Sequence, residues 1–103
     1  MNTSDVPRLS STERLILELL SGGDAFGLEL VGRSNGGLKR GTVYVTLGRM
    51  QDKGYVESRT EPLPDGAIGL PRRVYTPTAL GLRVLHAWAV AARTFRQRRA
   101  QEA

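Results

Sequence analysis

LKRGTVYVTLGRMQDKGY, residues 38–55, is the stretch on which the fold turns. At 100° per residue, Val43, Leu47 and Met50 fall on one helical face within about 60° of one another. Thr42, Val45, Arg49 and Asp52 fall roughly opposite, and Lys53 lies between the two faces. Gly41 and Gly48 lie beside the outer face. A glycine inside a helix costs about 1 kcal/mol relative to alanine. Two of them near an outward face have two explanations. Either something bulky comes close there, such as a nucleic-acid backbone, or Gly41 starts the helix and Gly48 makes room for a neighbouring helix. The residues on either side of the stretch bear on the choice.

The chain has 103 residues, room for one domain with a modest core, a size at which many chains gain stability by dimerising. Its net charge is +5 and its pI about 10.4. That excess favours a polyanionic partner without separating DNA from RNA or an anionic membrane. There is no cysteine, hence neither a disulfide nor a thiolate metal site. The N-terminus, MNTSDVPRLSSTE, carries no apolar signal segment. No apolar run approaches the roughly 18 residues of a membrane span. The expectation is a soluble cytoplasmic protein without internal repeats.

Residues 1–9 are polar, contain Pro7 and read as a flexible arm. Ser10-Ser11-Thr12-Glu13 fits a capping box, with Ser10 as N-cap and Glu13 reaching back. The following helix carries Leu15, Ile16, Leu17, Leu19 and Leu20, which cover about 200° where a single core needs only about 100°. Two partners are therefore expected, its own core and a second subunit. Gly22-Gly23 ends this helix. Asp24 suits the N-cap of a second helix, AFGLELVGR, with Phe26, Leu30 and Val31 inward. The third helix is the opening stretch, closed by Gly54. Two short helices joined by a glycine-containing turn outline a helix-turn-helix.

Tyr55 to Thr60 and Val74 to Thr76 have β-forming composition, the second entered through Arg72-Arg73. Between them EPLPDGAIGLP holds a Pro-Asp-Gly turn signal. A hairpin directly after the third helix is the wing of a winged helix, and two arginines where its loop returns suit phosphate contact. Thr78 is placed to cap the last helix. Its apolar stripe is Leu80, Val84, Trp88, Ala91, Ala92 and Phe95, with Leu85 alongside. No later element exists to cover that stripe, and aromatic side chains in water are costly. A partner subunit is the simplest cover, with Leu15 and Leu19 of the first helix sharing the seam. The tail from Arg93 to Ala103 is basic and expected to fray.

Catalytic chemistry has little support. His86, the single histidine, falls on the outer side of the last helix. Neither a Cys/His nor a Ser/His dyad is supported. Asp52 and Glu57 could in principle form a carboxylate pair, and Asp65 sits in a turn where aspartate is expected. The glycines match neither phosphate-loop nor dinucleotide spacing. No enzyme, metal or cofactor is expected.

Taken together the chain resembles the PadR family of bacterial transcriptional regulators. Ala25-Phe26-Gly27-Leu28-Glu29-Leu30 looks like the family's Tyr-Gly-Tyr-Glu-Ile pattern. Gly41-Thr42-Val43-Tyr44, Leu47, Arg49-Met50 and Gly54-Tyr55-Val56 look like its Gly-Thr-Leu-Tyr…Leu…Arg-Leu…Gly-Leu-Ile core. Gly69-Leu70-Pro71-Arg72-Arg73-Val74-Tyr75 looks like the return of the wing, and Thr78 to Gly81 like the opening of the final helix. Lys39-Arg40 depart from the family's usual Ser-Pro, which either strengthens phosphate binding or shifts the helix start. Val45 replaces a frequent proline. The single C-terminal helix matches the short members.

The resemblance implies a mainly α fold with a small β-hairpin: a winged helix-turn-helix at 10–77 and a dimerisation helix with a basic tail at 78–103. It implies a homodimeric repressor reading double-stranded DNA at a pseudo-palindromic operator. Helix 41–53 takes the major groove and wing 56–76 the flanking groove. Residues expected at DNA are Lys39, Arg40, Thr42, Tyr44, Val45, Arg49, Lys53, Arg72 and Arg73, with Arg49 the candidate for guanine. Tyr44, on the flank, has either a backbone contact or a packing role. The dimer seam is expected at Leu15, Leu19, Leu80, Val84, Trp88, Ala91, Ala92 and Phe95. Trp88 is either interface core or the stacking partner of a small aromatic effector between subunits. The alternatives are a winged-helix protein–protein adaptor and an RNA-binding module. The basic residues near the third helix and wing speak against the adaptor, and Asp52 for it.

Overall fold

A computed structural model describes the backbone of residues 9–102 and the side chains of residues 9–95. The order is α1 (Ser11–Ser21), β1 (Ala25–Phe26), α2 (Gly27–Arg33), α3 (Arg40–Asp52), β2 (Val56–Glu61), β3 (Arg72–Pro77) and α4 (Ala79–Glu102). All but Leu9 of the expected N-terminal arm lies outside the described residues.

The capping box of α1 is formed. The Glu13 N–H donates to Ser10 Oγ at 3.1 Å, and the Ser10 N–H to Glu13 Oε1 at 3.0 Å. Ile16, Leu17 and Leu20 of α1 are fully buried with Leu30 of α2, Val43, Leu47 and Met50 of α3, and Val56 of β2. The helical spacing of these residues thus builds one core, and the outward face of α3 is left over.

Two local readings change. Asp24 caps no helix; its Oδ2 accepts from Arg59 Nη1 at 3.1 Å. Ala25 and Phe26 pair antiparallel with Tyr75 and Val74, so the sheet has three strands, ordered β1-β3-β2, rather than the two of a bare hairpin. The α2 helix starts at Gly27, and the Phe26 N–H donates to Glu29 Oε1 at 3.1 Å. Pairing with a strand some 50 residues on outweighs the local capping signal. A two-residue strand carries too little periodicity to be seen beforehand.

The α4 helix is 24 residues, about 36 Å at 1.5 Å per residue. It makes the molecule long, 62 Å against 26 and 21 Å across. Thr78 caps it as expected, with Oγ1 accepting from the Gly81 N–H at 3.0 Å. The helix continues through the tail expected to fray, because Arg93 to Glu102 contains neither Gly nor Pro and is rich in helix formers.

One polar tie fixes α3 to α1. Lys53 Nζ donates to Glu13 Oε2 at 2.8 Å, and the ammonium also lies over the Tyr55 ring, 5.7 Å from its centroid. Burial pushes the Glu13 carboxyl up, but the Lys53 bond and charge, with the bonds from Ser10, hold it below the ordinary glutamate value of 4.5. A carboxyl lowered by folding stabilises the fold above its unfolded value and loses that contribution as pH falls through the folded one. Glu13→Gln keeps a capping residue at N3 and deletes the ion pair. It is expected to lower unfolding free energy by about 1 kcal/mol at pH 7, since Lys53 is half in water. Urea titrations should converge with wild type as pH falls through the lowered folded-state value of Glu13. An equal deficit at acid and neutral pH would mean the charge contributes nothing.

Candidate nucleic-acid interface

The outward side of α3 is unusually open. A Cβ placed on Gly41 or Gly48 meets no atom within 4 Å. No helix of the described chain fills the space beside Gly48, so making room for an intramolecular neighbour is not its role. On the wheel the two glycines sit within about 20° of each other at one edge of the outward face. Val45 (56% exposed), Thr42, Arg49 and Asp52 lie along one side of them, all exposed.

The start of α3 breaks a local rule. Lys39 is the N-cap and makes no side-chain cap bond; Arg40 follows, and the first turn has no acidic residue. Positive charge at a helix N-terminus opposes the macrodipole. Two cations with unsatisfied backbone N–H groups form a place where an anion stabilises what the fold does not. The helix starts at Arg40, one residue before the expected Gly41.

Tyr44 is half exposed, and its ring packs over α2. A Cβ on Gly27 would come within 2.6–3.0 Å of three of its atoms. The backbone-contact and packing roles are therefore compatible: one edge rests on Gly27 and the rest faces outward. Burial pushes the hydroxyl of nearby Tyr75 up, while Arg73 pulls it down and Tyr44 adds to the rise.

The wing brings its arginines to the same side. Tyr44, Phe26, Leu70, Arg72 and Arg73 line one open groove of about 360 Å³ between α3 and the wing. The Arg72 guanidinium lies over the Phe26 ring, 4.7 Å from its centroid, and Arg73 Nη1 donates to Ser58 Oγ at 3.2 Å. Among the described residues, Lys39, Arg40, Arg49, Arg72 and Arg73 join no ion pair, whereas Arg14, Arg33, Lys53 and Arg59 do. Lys53, expected at DNA, is committed to Glu13 at the far end of α3.

The expected seam divides along α4. Val84 is buried within the chain at 5% exposure and is not available to a partner. Leu80 stays 41% exposed beside Gly54. Leu15 and Leu19 are half-buried at the margin of the chain's own core. Trp88, Ala91 and Ala92 are half-buried, and Phe95 is 61% exposed. The Arg14 guanidinium stacks on Trp88 at 4.5 Å, and with Glu18, Ala89, Ala92 and Arg93 they line an open groove of about 430 Å³. Sequence reading missed Arg14, which carries no distinguishing neighbour pattern, and Arg59, whose partner Asp24 is 35 positions away.

Among the described residues no helix is long and apolar enough to cross a membrane, and no three acidic or histidine side chains cluster as a metal site. A family model described as the transcriptional regulator PadR-like family matches residues 16–87. No curated protein matches significantly. Among solved structures, a PadR family transcription regulator from Clostridium difficile R20291 is 25% identical, with a TM-score of 0.74, over 89% of this chain and 97% of that one. A PadR-like transcription factor from Bacteroides fragilis shares the fold at 19% identity, with a TM-score of 0.76 and 88% of each chain covered. Bacillus subtilis PadR in complex with operator DNA shares it at 24% identity and a TM-score of 0.70, over 79% of this chain and 49% of that one.

Proposed function

The chain belongs to the PadR-like family of transcriptional regulators, a family of regulators and not of enzymes, and on that premise we propose that it is a homodimeric repressor acting on the bacterial nucleoid. It reads a pseudo-palindromic operator with α3 in the major groove and the wing on the flanking groove. The observation that carries this reading is the outward face of α3: two glycines open to solvent, bordered on one side by Thr42, Val45 and Arg49 and flanked by unpaired cations. Glycine there lets the helix backbone approach the groove floor, while Arg49 presents a fork that fits guanine O6 and N7. Lys39, Arg40, Arg72 and Arg73 supply phosphate contacts on either side, with Tyr44 at the edge. Lys53 is left out of this set because Glu13 holds it. Trp88 serves as core of the dimer seam; the second reading for it is the stacking partner of a small flat aromatic effector between the subunits.

The test begins with duplexes selected from a random library by the intact protein. Arg72→Ala with Arg73→Ala should weaken binding evenly across sequences and lower the salt slope by about 1–2. Arg49→Ala should relax discrimination at one base pair per half-site by about 1–3 kcal/mol. Failure to enrich any duplex, or enrichment of RNA in a parallel selection, sinks the operator reading. Equal losses for Arg49→Ala on selected and random DNA would reduce Arg49 to a phosphate contact.

A further inference from the structure

The loop between β2 and β3, Pro62 to Pro71, has a tip whose chemistry the contacts above do not use. Ile68 is 100% exposed and Leu70 88% exposed, the two most exposed large apolar side chains among the described residues. Asp65 is the only charged residue in the loop, so the tip itself offers phosphate nothing. Nor is it a loose chain. Pro62, Pro64 and Pro71 fix φ at three positions, and the Ala67 N–H closes a turn onto the Pro64 carbonyl at 3.0 Å. Gly66 and Gly69, at φ of +83° and +128°, supply the bends that side chains disfavour. The apolar tip is thus held in advance at the end of a hairpin. Arg72 and Arg73 stand at its base, and Leu70 and Pro71 line the groove that also holds Tyr44 of α3.

We propose that this tip is an apolar wedge: Ile68 and Leu70 enter the minor groove beside the α3 contact and pry open a single base step there, bending the duplex. The inference rests on the operator reading and adds a mode of recognition to it. The minor groove is only about 6 Å wide, so a branched side chain enters by widening it and unstacking a step. Pyrimidine–purine steps such as TA and CA yield most easily. Arg72 and Arg73 hold phosphates at the rim, as wedge-bearing proteins require to offset unstacking. The wing then contributes sequence preference without a single base hydrogen bond.

The probe is the duplex that the wild-type protein itself selects, with 2-aminopurine placed singly at each step outside the α3 contact. Wild type should raise fluorescence at one step per half-site and shift circularly permuted fragments as a bend does. It should prefer TA over GC at that step by about tenfold. Ile68→Ser with Leu70→Ser, both surface changes that leave melting unchanged, should abolish the fluorescence rise and the bend and bring that preference near one. The salt slope should stay as in wild type, because no charge is removed. A bound, selected duplex with no unstacked step overturns the wedge and leaves the operator reading standing. So does a serine variant that keeps both unstacking and bend. If no duplex is selected at all, the operator reading fails and the wedge falls with it.

Discussion

Gly81→Ala is expected to lower the melting temperature by about 10–20 °C. A Cβ at Gly81 would run into the Tyr55 carbonyl oxygen, with the carbonyl carbon at 3.0 Å and Leu17 Cδ2 at 3.2 Å. That carbonyl cannot swing away, because it accepts the Thr78 N–H at 3.0 Å while Thr78 Oγ1 donates to the Gly54 carbonyl. Alanine gains about 1 kcal/mol of helix propensity. Against this stand overpacking onto backbone, about 1–3 kcal/mol, and weakening of two bonds at about 1 kcal/mol each. The loss wins by about 2–4 kcal/mol, and each kcal/mol is about 4–8 °C in a domain of this size. Gly48→Ala serves as the opposite case: with nothing within 4 Å it should raise stability by about 1 kcal/mol. Thermal scans followed by circular dichroism decide. A Gly81→Ala protein that melts with wild type would mean the α4–hairpin contact is looser than its geometry.

The contrast between these two glycines marks what a sequence can and cannot convey. The apolar spacing of Val43, Leu47 and Met50 predicts the buried face of α3, and all three are fully buried. Ser10 with Glu13, and Thr78 with Gly81, predict their helix starts through bonds that span three residues. Such signals are local and periodic. What stayed hidden depends on partners distant in the chain. The β1 strand exists because β3 lies beside it. Val84 is covered by the chain's own body, although it continues the Trp88 stripe. Lys53 belongs to Glu13, 40 positions earlier. Nothing in the local pattern says whether a glycine on a helix faces a carbonyl, as Gly81 does, or open space, as Gly48 does. The wing is legible from composition and a turn signal, because Pro-Asp-Gly and the flanking β-formers are again local.

Phe95→Ala is expected to weaken the proposed dimer about a thousandfold while leaving the subunit's own stability near wild type. From Val84 onward the stripe of α4 grows more exposed as the helix leaves the body: Val84 is buried, Trp88 half-buried and Phe95 61% exposed. The α1 helix covers the beginning of that stripe and has no length left for its end. In a two-fold dimer each side chain occurs twice, so an aromatic anchor contributing about 2 kcal/mol per chain costs about 4 kcal/mol per dimer. That is about three decades in dissociation constant. Trp88→Ala should shift association as well, but it also removes the ring on which Arg14 stacks, so some of its effect falls on the subunit. Phe95 is therefore the cleaner test. Sedimentation equilibrium over a concentration series should show Phe95→Ala largely monomeric where wild type is dimeric. On a two-half-site duplex the variant should bind each half independently, because the second contact loses its effective concentration. A Phe95→Ala protein that stays dimeric would move the seam to the opposite side of α4, where Leu82 and Val90 are 42% and 45% exposed. That geometry would aim the two copies of α3 differently and change the half-site spacing the operator must have.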